Sequence, residues 1–354
     1  MTFHRVAVYA AVAATAVAGG VAWTFGREAP SGPQAAPPAE HPEALLQGGR
    51  AQTSEAPIFE NWEDQHFPFL GFEAESGTAT EVRAVAPRGA RERPADDQVL
   101  IPAGPVTLGD PDLPGSRPQR VVEVAAFAID RYEVTNARYA EFVRATQRRA
   151  PYVHENWAAI YNWYKDQPAP GMEEIPVVLV TWVDADAYCR WAGRRLPTEA
   201  EWERAGRGSD GRRYPWGNLW DSRKTNVVSR LSGPLETEAQ WDAFEAAWTG
   251  SKKPEIHPVG SHPDDRSPFG VMDLAGNVSE WVAGAFVAYP GAPPGDRTLL
   301  AQAGDPEAST SAVRVARGNS WGNRDYSLPL AVRYVYERDR VDSVIGFRCA
   351  ADAP

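Results

Sequence analysis

The residues best able to do chemistry are scarce in this chain. Among 354 residues there are two cysteines, Cys189 and Cys349, and six histidines. His4, His41 and His66 lie near the amino terminus. His154, His257 and His262 lack the i, i+4 interval that sets two imidazoles on one helix face, so they read as loop or surface residues rather than metal ligands. No Gly-x-Ser-x-Gly elbow, phosphate loop or dinucleotide fingerprint occurs. Asp264 and Asp265 form a carboxylate pair, but Pro263 and Arg266 beside them point to a solvent loop, a poor setting for acid–base work. A net charge of −11 excludes nucleic acid as a partner, because phosphate binding needs clustered Lys and Arg.

The elements that must position these groups are short. Thirteen Trp, 30 Gly and 31 Pro describe an aromatic, turn-rich protein in which periodicity reaches only part of the chain. Residues 1–26 hold an uncharged stretch from Val6 to Phe25, about 20 residues, long enough to span a bilayer as a helix. An uncleaved inner-membrane anchor is expected, with Arg5 inside and everything after Gly26 in the periplasm or extracytoplasmic space. A cleaved signal peptide is the alternative, since Ala16-Val17-Ala18 and Gly20-Val21-Ala22 both suit a peptidase. Residues 27–97 read as a Pro/Ala-rich tether that cannot bury enough apolar area to fold. Within it, an arm at 58–72 gathers Phe59, Trp62, Phe67, Phe69 and Phe72. These aromatics either pack on the chain's own domain or bind a partner protein or membrane surface.

A folded domain is expected over 98–354. Val99-Leu100-Ile101 and the Ala125-Phe127-Ile129 alternation are strand-like. Thr135 can cap a helix carrying Tyr139, Phe142, Val143 and Thr146 on one face. A second helix runs from Val183 to Ala192, with Gly193 just past its end. Thr198 through Glu201 is a capping box opening a third, with Trp202 and Ala205 turned inward. Beyond Gly206 come turns and brief strands, giving an α+β domain with a large loop fraction.

Ordered motifs then carry a resemblance. Phe127 through Asn136, Pro176-Val177-Val178, Thr181 through Cys189, Arg195 through Glu203, Tyr214-Pro215-Trp216-Gly217-Asn218, Pro258-Val259-Gly260-Ser261, Asp273 through Trp281, Arg317-Gly318-Asn319-Ser320-Trp321 and Gly346-Phe347-Arg348-Cys349 recur in order over about 98–352. The sequence is similar to the formylglycine-generating, or sulfatase-modifying factor, family. The resemblance implies that family's loop-rich α+β fold, related to C-type lectin domains.

Catalytic members hold copper(I) through two thiolates near the carboxy terminus, and soft thiolates are what that ion requires. From Trp321 to Arg340 this chain has no Cys; Asn323, Ser327 and their neighbours stand there instead, so no copper is expected. The resemblance assigns Cys189 and Cys349 to the structural disulfide of secreted members, closing a loop of about 160 residues. It also implies a structural calcium ion at Gly276, Asn277, Val278 and Glu280, against which stands a plain buried carboxylate, and a second at Asn226, Val227, Asp242 and Phe244. Trp321, Arg333 and Arg348 would line the family's peptide groove or pair with buried acids. The expectation is a non-catalytic, exported binding or scaffolding module, an accessory subunit of a membrane-associated complex. A peptide-modifying enzyme with a rebuilt site and a lectin-like glycan receptor are the alternatives.

Overall fold

Thr135 accepts the backbone N–H of Arg138 at 3.4 Å and starts α1 (Asn136–Thr146). Tyr139, Phe142 and Val143 are buried along it as the spacing predicts, but Thr146 is exposed and turns its hydroxyl back to the Phe142 carbonyl at 2.7 Å. Both later helices open with complete capping boxes: Thr181 with Asp184 begins α2 (Trp182–Trp191), and Thr198 with Glu201 begins α3 (Glu199–Arg207). Each box satisfies two backbone donors that a helix start would otherwise leave orphaned, typically ~1 kcal/mol per cap. Gly193, at φ 71°, ends α2 as its position suggested. Helix α3 differs from expectation in being buried nearly all round, its Glu201, Glu203, Arg204 and Arg207 as well as Trp202 and Ala205. Its charged side chains therefore need internal partners.

The computed structural model describes residues 97–113, 115–232, 239–240, 243, 255–293, 313–323 and 329–354. The candidate anchor, the tether and the aromatic arm with Phe59, Trp62, Phe67, Phe69 and Phe72 lie outside the described residues, as do Asp242, Phe244 and Ser327. Among the described residues no helix is long and apolar enough to cross a membrane.

Strand β1 (Gln98–Ile101) pairs antiparallel with β4 (Phe127–Asp130), which pairs on its other side with β9 (Ala350–Asp352). Between β1 and β4 in sequence, β2 (Gly104–Leu108) and β3 (Arg120–Val124) form a separate hairpin. A second sheet has the order β7 (Arg333–Glu337), β6 (Val313–Arg317), β5 (Ser279–Ala285), β8 (Ile345–Phe347), with β5 and β8 parallel. The short helix α4 (Ser229–Ser232) follows a turn that carries Asn226 and Val227.

The core has distinct apolar clusters. One packs α1 and α2 against β8 through Tyr139, Phe142, Tyr188 and Phe347, with Tyr139 stacked on Tyr188 at 5.6 Å and Phe347 edge-on to Tyr188 at 5.4 Å. Another sets Trp202 and Ala205 of α3 against Phe127 and Ile129 of β4 and Val313 and Val315 of β6. Edge-to-face and offset aromatic pairs add about 0.5–1.5 kcal/mol beyond the area they bury. The segment from β8 to β9 threads between these clusters, which places Arg348 and Cys349 at the centre of the domain with no exposed surface.

Candidate functional site

Cys189, on the inner stripe of α2, and Cys349 are joined in a disulfide across a sequence separation of 160. They are the only cysteines in the chain, so no thiolate remains for copper(I). The turn at 319–323, which opens the window where the resemblance would expect thiolates, is built from amides and hydroxyls. Asn323 Oδ1 accepts from the Ser320 backbone N–H at 2.5 Å and the Ser320 hydroxyl at 2.6 Å. Its Nδ2 donates to the Tyr334 hydroxyl at 2.9 Å, which in turn donates to Asn319 Oδ1 at 3.1 Å. Burial pushes the Tyr334 phenol well above its usual range, so it stays a neutral donor and acceptor. This closed network fixes the turn and leaves the Asn323 carboxamide committed.

A second constellation is electrostatic. Glu280 on β5 receives Arg348 Nε at 2.6 Å, Arg348 Nη2 at 2.7 Å and Trp202 Nε1 at 2.9 Å. The remaining Arg348 donors reach the carbonyls of Asp130, Arg131 and Met272, so all five of its N–H groups are used. Beside this pair lie Glu133 and Asp273, so three carboxyls share one guanidinium, and Asp265 lies beyond Asp273. Glu133 Oε1 accepts the Asn277 amide at 3.2 Å, whereas its Oε2 is buried without a partner. Burial first, and the negative charge of Asp273 second, push Glu133 well above the usual carboxylate range. The same two causes raise Asp265 to about 7, despite hydrogen bonds from Thr225 Oγ1 at 2.6 Å and Ala275 N at 3.0 Å.

The backbone shapes the place where these acids meet. Asp273 and Asn277 adopt left-handed conformations, φ 59° and 69°, and the 273–277 turn meets the segment carrying Asn226 through the Asn277 N–H. A side chain on Gly276 would collide with Thr225 Oγ1 and the Asn226 carbonyl. Asn226 donates to Asn277 Oδ1 at 3.0 Å and accepts the Asn277 N–H at 2.8 Å, so the two expected calcium segments adjoin. Val227 is buried beside them. Asn226 and Asn277 in addition bind backbone groups of Glu255 and His257.

Comparison with known proteins fits this architecture. Residues 83–353 match the family described as sulfatase-modifying factor enzyme 1-like domain. The chain belongs to that family. It is 33% identical over 298 residues to the inactive C-alpha-formylglycine-generating enzyme 2 of Bos taurus, covering 73% of this chain and 88% of that one. It is 32% identical over 306 residues to the formylglycine-generating enzyme of Thermomonospora curvata, covering 75% and 97%. PvdO from Pseudomonas aeruginosa superimposes with a TM-score of 0.51 at 27% identity, over 72% of this chain and 94% of that structure. Relatives thus include proteins named formylglycine-generating enzyme and one named an inactive form of it.

Within this family member, residues read from sequence divide as follows. Cys189 and Cys349 form a disulfide. Gly276, Asn277, Val278 and Glu280 are buried together with Asn226 and Val227. Glu280 is engaged by Arg348 and Trp202, Asp273 Oδ2 accepts the Gly260 N–H at 2.5 Å, and Glu133 Oε2 is buried without a hydrogen-bond partner; among the described residues no three acidic, His or Cys side chains are grouped so as to hold a metal ion. Arg333 pairs with Glu199 at 2.6 Å and Arg348 with Glu280, so both arginines serve buried acids. Trp321 is buried, its ring in the third apolar cluster with Ile175 and Val278.

Sequence reasoning missed four features. Glu133 and Asp273 are far apart in the chain and sit in motifs that read as apolar entry and turn segments. Asp265, assigned to a solvent loop, has no exposed surface because Thr225 and the 273–275 backbone close over it; only Asp264 faces solvent. His257 and His262 stack at 5.2 Å, with Nδ1 of the first 2.9 Å from Nε2 of the second. Arg230 Nη1 lies 2.6 Å from His262 Nδ1, and since arginine only donates, that nitrogen must accept.

Proposed function

We propose that this chain is a non-catalytic member of its family, an exported binding or scaffolding module that serves as accessory subunit of a membrane-associated complex. One observation carries the reading: both cysteines are consumed by a buried disulfide, while Asn323 is locked by Ser320 and Tyr334 where a thiolate would be required. The family's oxygen chemistry depends on copper(I), and a carboxamide held by three hydrogen bonds is neither soft nor free to bind it. The kinship with an inactive formylglycine-generating enzyme supports the same view. The uncharged segment 6–25 supplies the membrane anchor and the aromatic arm at 58–72 supplies the contact with partner proteins. A calcium ion would be structural in this reading, held by Glu133 and Asp273 and replacing the missing positive charge among the acids; when bound it joins the entry segment to the 273–278 turn.

The test has two arms. Purified full-length protein supplied with copper(I), oxygen and a cysteine-containing sulfatase-type peptide should yield no aldehyde, and extraction from its native membrane in mild detergent should retain a stoichiometric partner. Aldehyde formation would refute the non-catalytic reading and favour a rebuilt enzymatic site. A chain that migrates alone would refute the accessory role. Glycan binding abolished by chelation would replace both with a lectin-like receptor.

A further inference from the structure

Helix α3 presents Glu199 and Glu203 to three buried guanidiniums. Arg317 reaches Glu199 at 3.0 Å and also binds Glu203. Arg333 clasps Glu199 through Nε at 2.6 Å and Nη2 at 2.7 Å, and Arg207 binds Glu203 at 2.5 Å. Burial alone would raise Glu199, but Arg333 and Arg317 override it and hold the carboxyl below its usual range, so it is ionised. Three cations therefore share two anions where the arginine side chains are at most 2% exposed, leaving one positive charge uncompensated. A lone buried charge of this kind is costly.

Donors without acceptors surround that surplus. Arg317 Nε, the Tyr289 hydroxyl, Ser116 Oγ and Arg120 Nη1 are all buried and unpartnered. They are neighbours. The Arg120 guanidinium lies 3.8 Å from the centre of the Tyr289 ring and that of Arg333 4.4 Å from it. The Tyr289 hydroxyl sits in the field of Arg317 and Arg333, and burial pushes its pKa up to about 12, so it keeps its proton to donate. Ser116 follows Gly115, whose carbonyl accepts Arg333 Nη1 at 2.8 Å. By contrast, Arg207 and Arg348 have every nitrogen engaged.

We propose that this cluster binds a small monovalent anion of the chloride class, held between the Tyr289 hydroxyl and Arg317 Nε with Ser116 Oγ and Arg120 Nη1 beside it. A water molecule could accept from these donors but would leave the surplus charge in place; a halide does both. The ion ties the β2–β3 hairpin, through Arg120, and the turn at Ser116 to the ion pairs of α3. It is separate from the disulfide and from the acidic cluster at Glu133, which attracts the opposite charge.

The experiment uses full-length protein in detergent, unfolded thermally at fixed ionic strength while gluconate is replaced by bromide, together with anomalous diffraction from bromide-soaked crystals. The expected result is a midpoint that rises and saturates with bromide, and an anomalous peak against Tyr289. Tyr289→Phe, which removes the hydroxyl with little change of shape, should weaken bromide at least tenfold; Arg120→Gln, nearer the surface, gives the same readout should the first variant fail to fold. Equal midpoints in bromide and gluconate, a site without anomalous signal, or a bromide response unchanged in both variants would each overturn the proposal.

Discussion

Replacing both Cys189 and Cys349 by Ala removes a cross-link between residues 160 apart in sequence. In the chain-entropy account the loss scales with the logarithm of the closed loop, which for this span is about 17 cal/mol/K, or about 5 kcal/mol at 25 °C. That is a large part of the 5–15 kcal/mol typical of a folded domain. For a domain of this size it corresponds to a fall in melting temperature of about 10–20 °C. Alanine is the proper replacement, since both positions have no exposed surface and a serine hydroxyl would be buried among Tyr188, Phe347 and their neighbours. The assay is urea unfolding of the purified protein followed by tryptophan fluorescence, for wild type with and without reductant and for the double variant. The reduced wild type and the double-alanine protein should have closely matching midpoints, both well below the oxidised wild type. If native protein showed titratable thiols, or if either treatment changed stability by less than about 1 kcal/mol, the cysteines would not be a structural pair. Thiolates would then be left to bind copper.

Other outcomes follow from the acidic cluster and its surroundings. Calcium should raise the melting temperature of wild type, by the equivalent of about 2.7 kcal/mol at a hundredfold excess over Kd, and Glu133→Gln should abolish that rise in differential scanning fluorimetry. Gly276→Ala, whose new methyl meets Thr225 Oγ1 and the Asn226 carbonyl, should cost about 3 kcal/mol in urea unfolding, at the upper end for overpacking. His262 is held neutral, first by burial and then by Arg230 and His257, with a pKa lowered to about 4. The unfolded chain then binds more protons than the native one between pH 4 and 6.5, so this residue's contribution to stability is present above 6.5 and lost as pH falls through 4. Allowing for solvent screening, the stability of wild type relative to His262→Gln should drop by about 2 kcal/mol between pH 6.5 and 4, and an unchanged difference would refute the assignment. Arg348→Met, which strands Glu280, should cost about 3–5 kcal/mol, and the double change with Glu280→Met should recover much of it.

Much of the local structure is legible in the residues because it is decided locally. Thr135, Thr181 and Thr198 start helices through contacts three residues away, and Gly193 ends one through its own backbone freedom. The order of the motifs likewise indicates the family, and the resemblance pairs Cys189 with Cys349. The burial of α3 was not legible: a helix reading Glu-Ala-Glu-Trp-Glu-Arg-Ala-Gly-Arg looks half solvated, and only the arrival of Arg317 and Arg333 from β6 and β7 allows its acids inside.

Sequence by itself determined the scarcity of soft ligands, the excess of acid, and the points where helices begin, since these depend on residue identity and near neighbours. Tertiary structure alone decided which acids are trapped. It gave Glu280 to Arg348, set Glu133 in the field of Asp273 with its Oε2 lacking a hydrogen-bond partner, and closed Thr225 over Asp265. These contacts join residues up to 140 positions apart, measured from Glu133 to Asp273. A charge's environment is set by whatever surrounds it in space, and no local pattern along the chain records the dielectric or the partners it will meet.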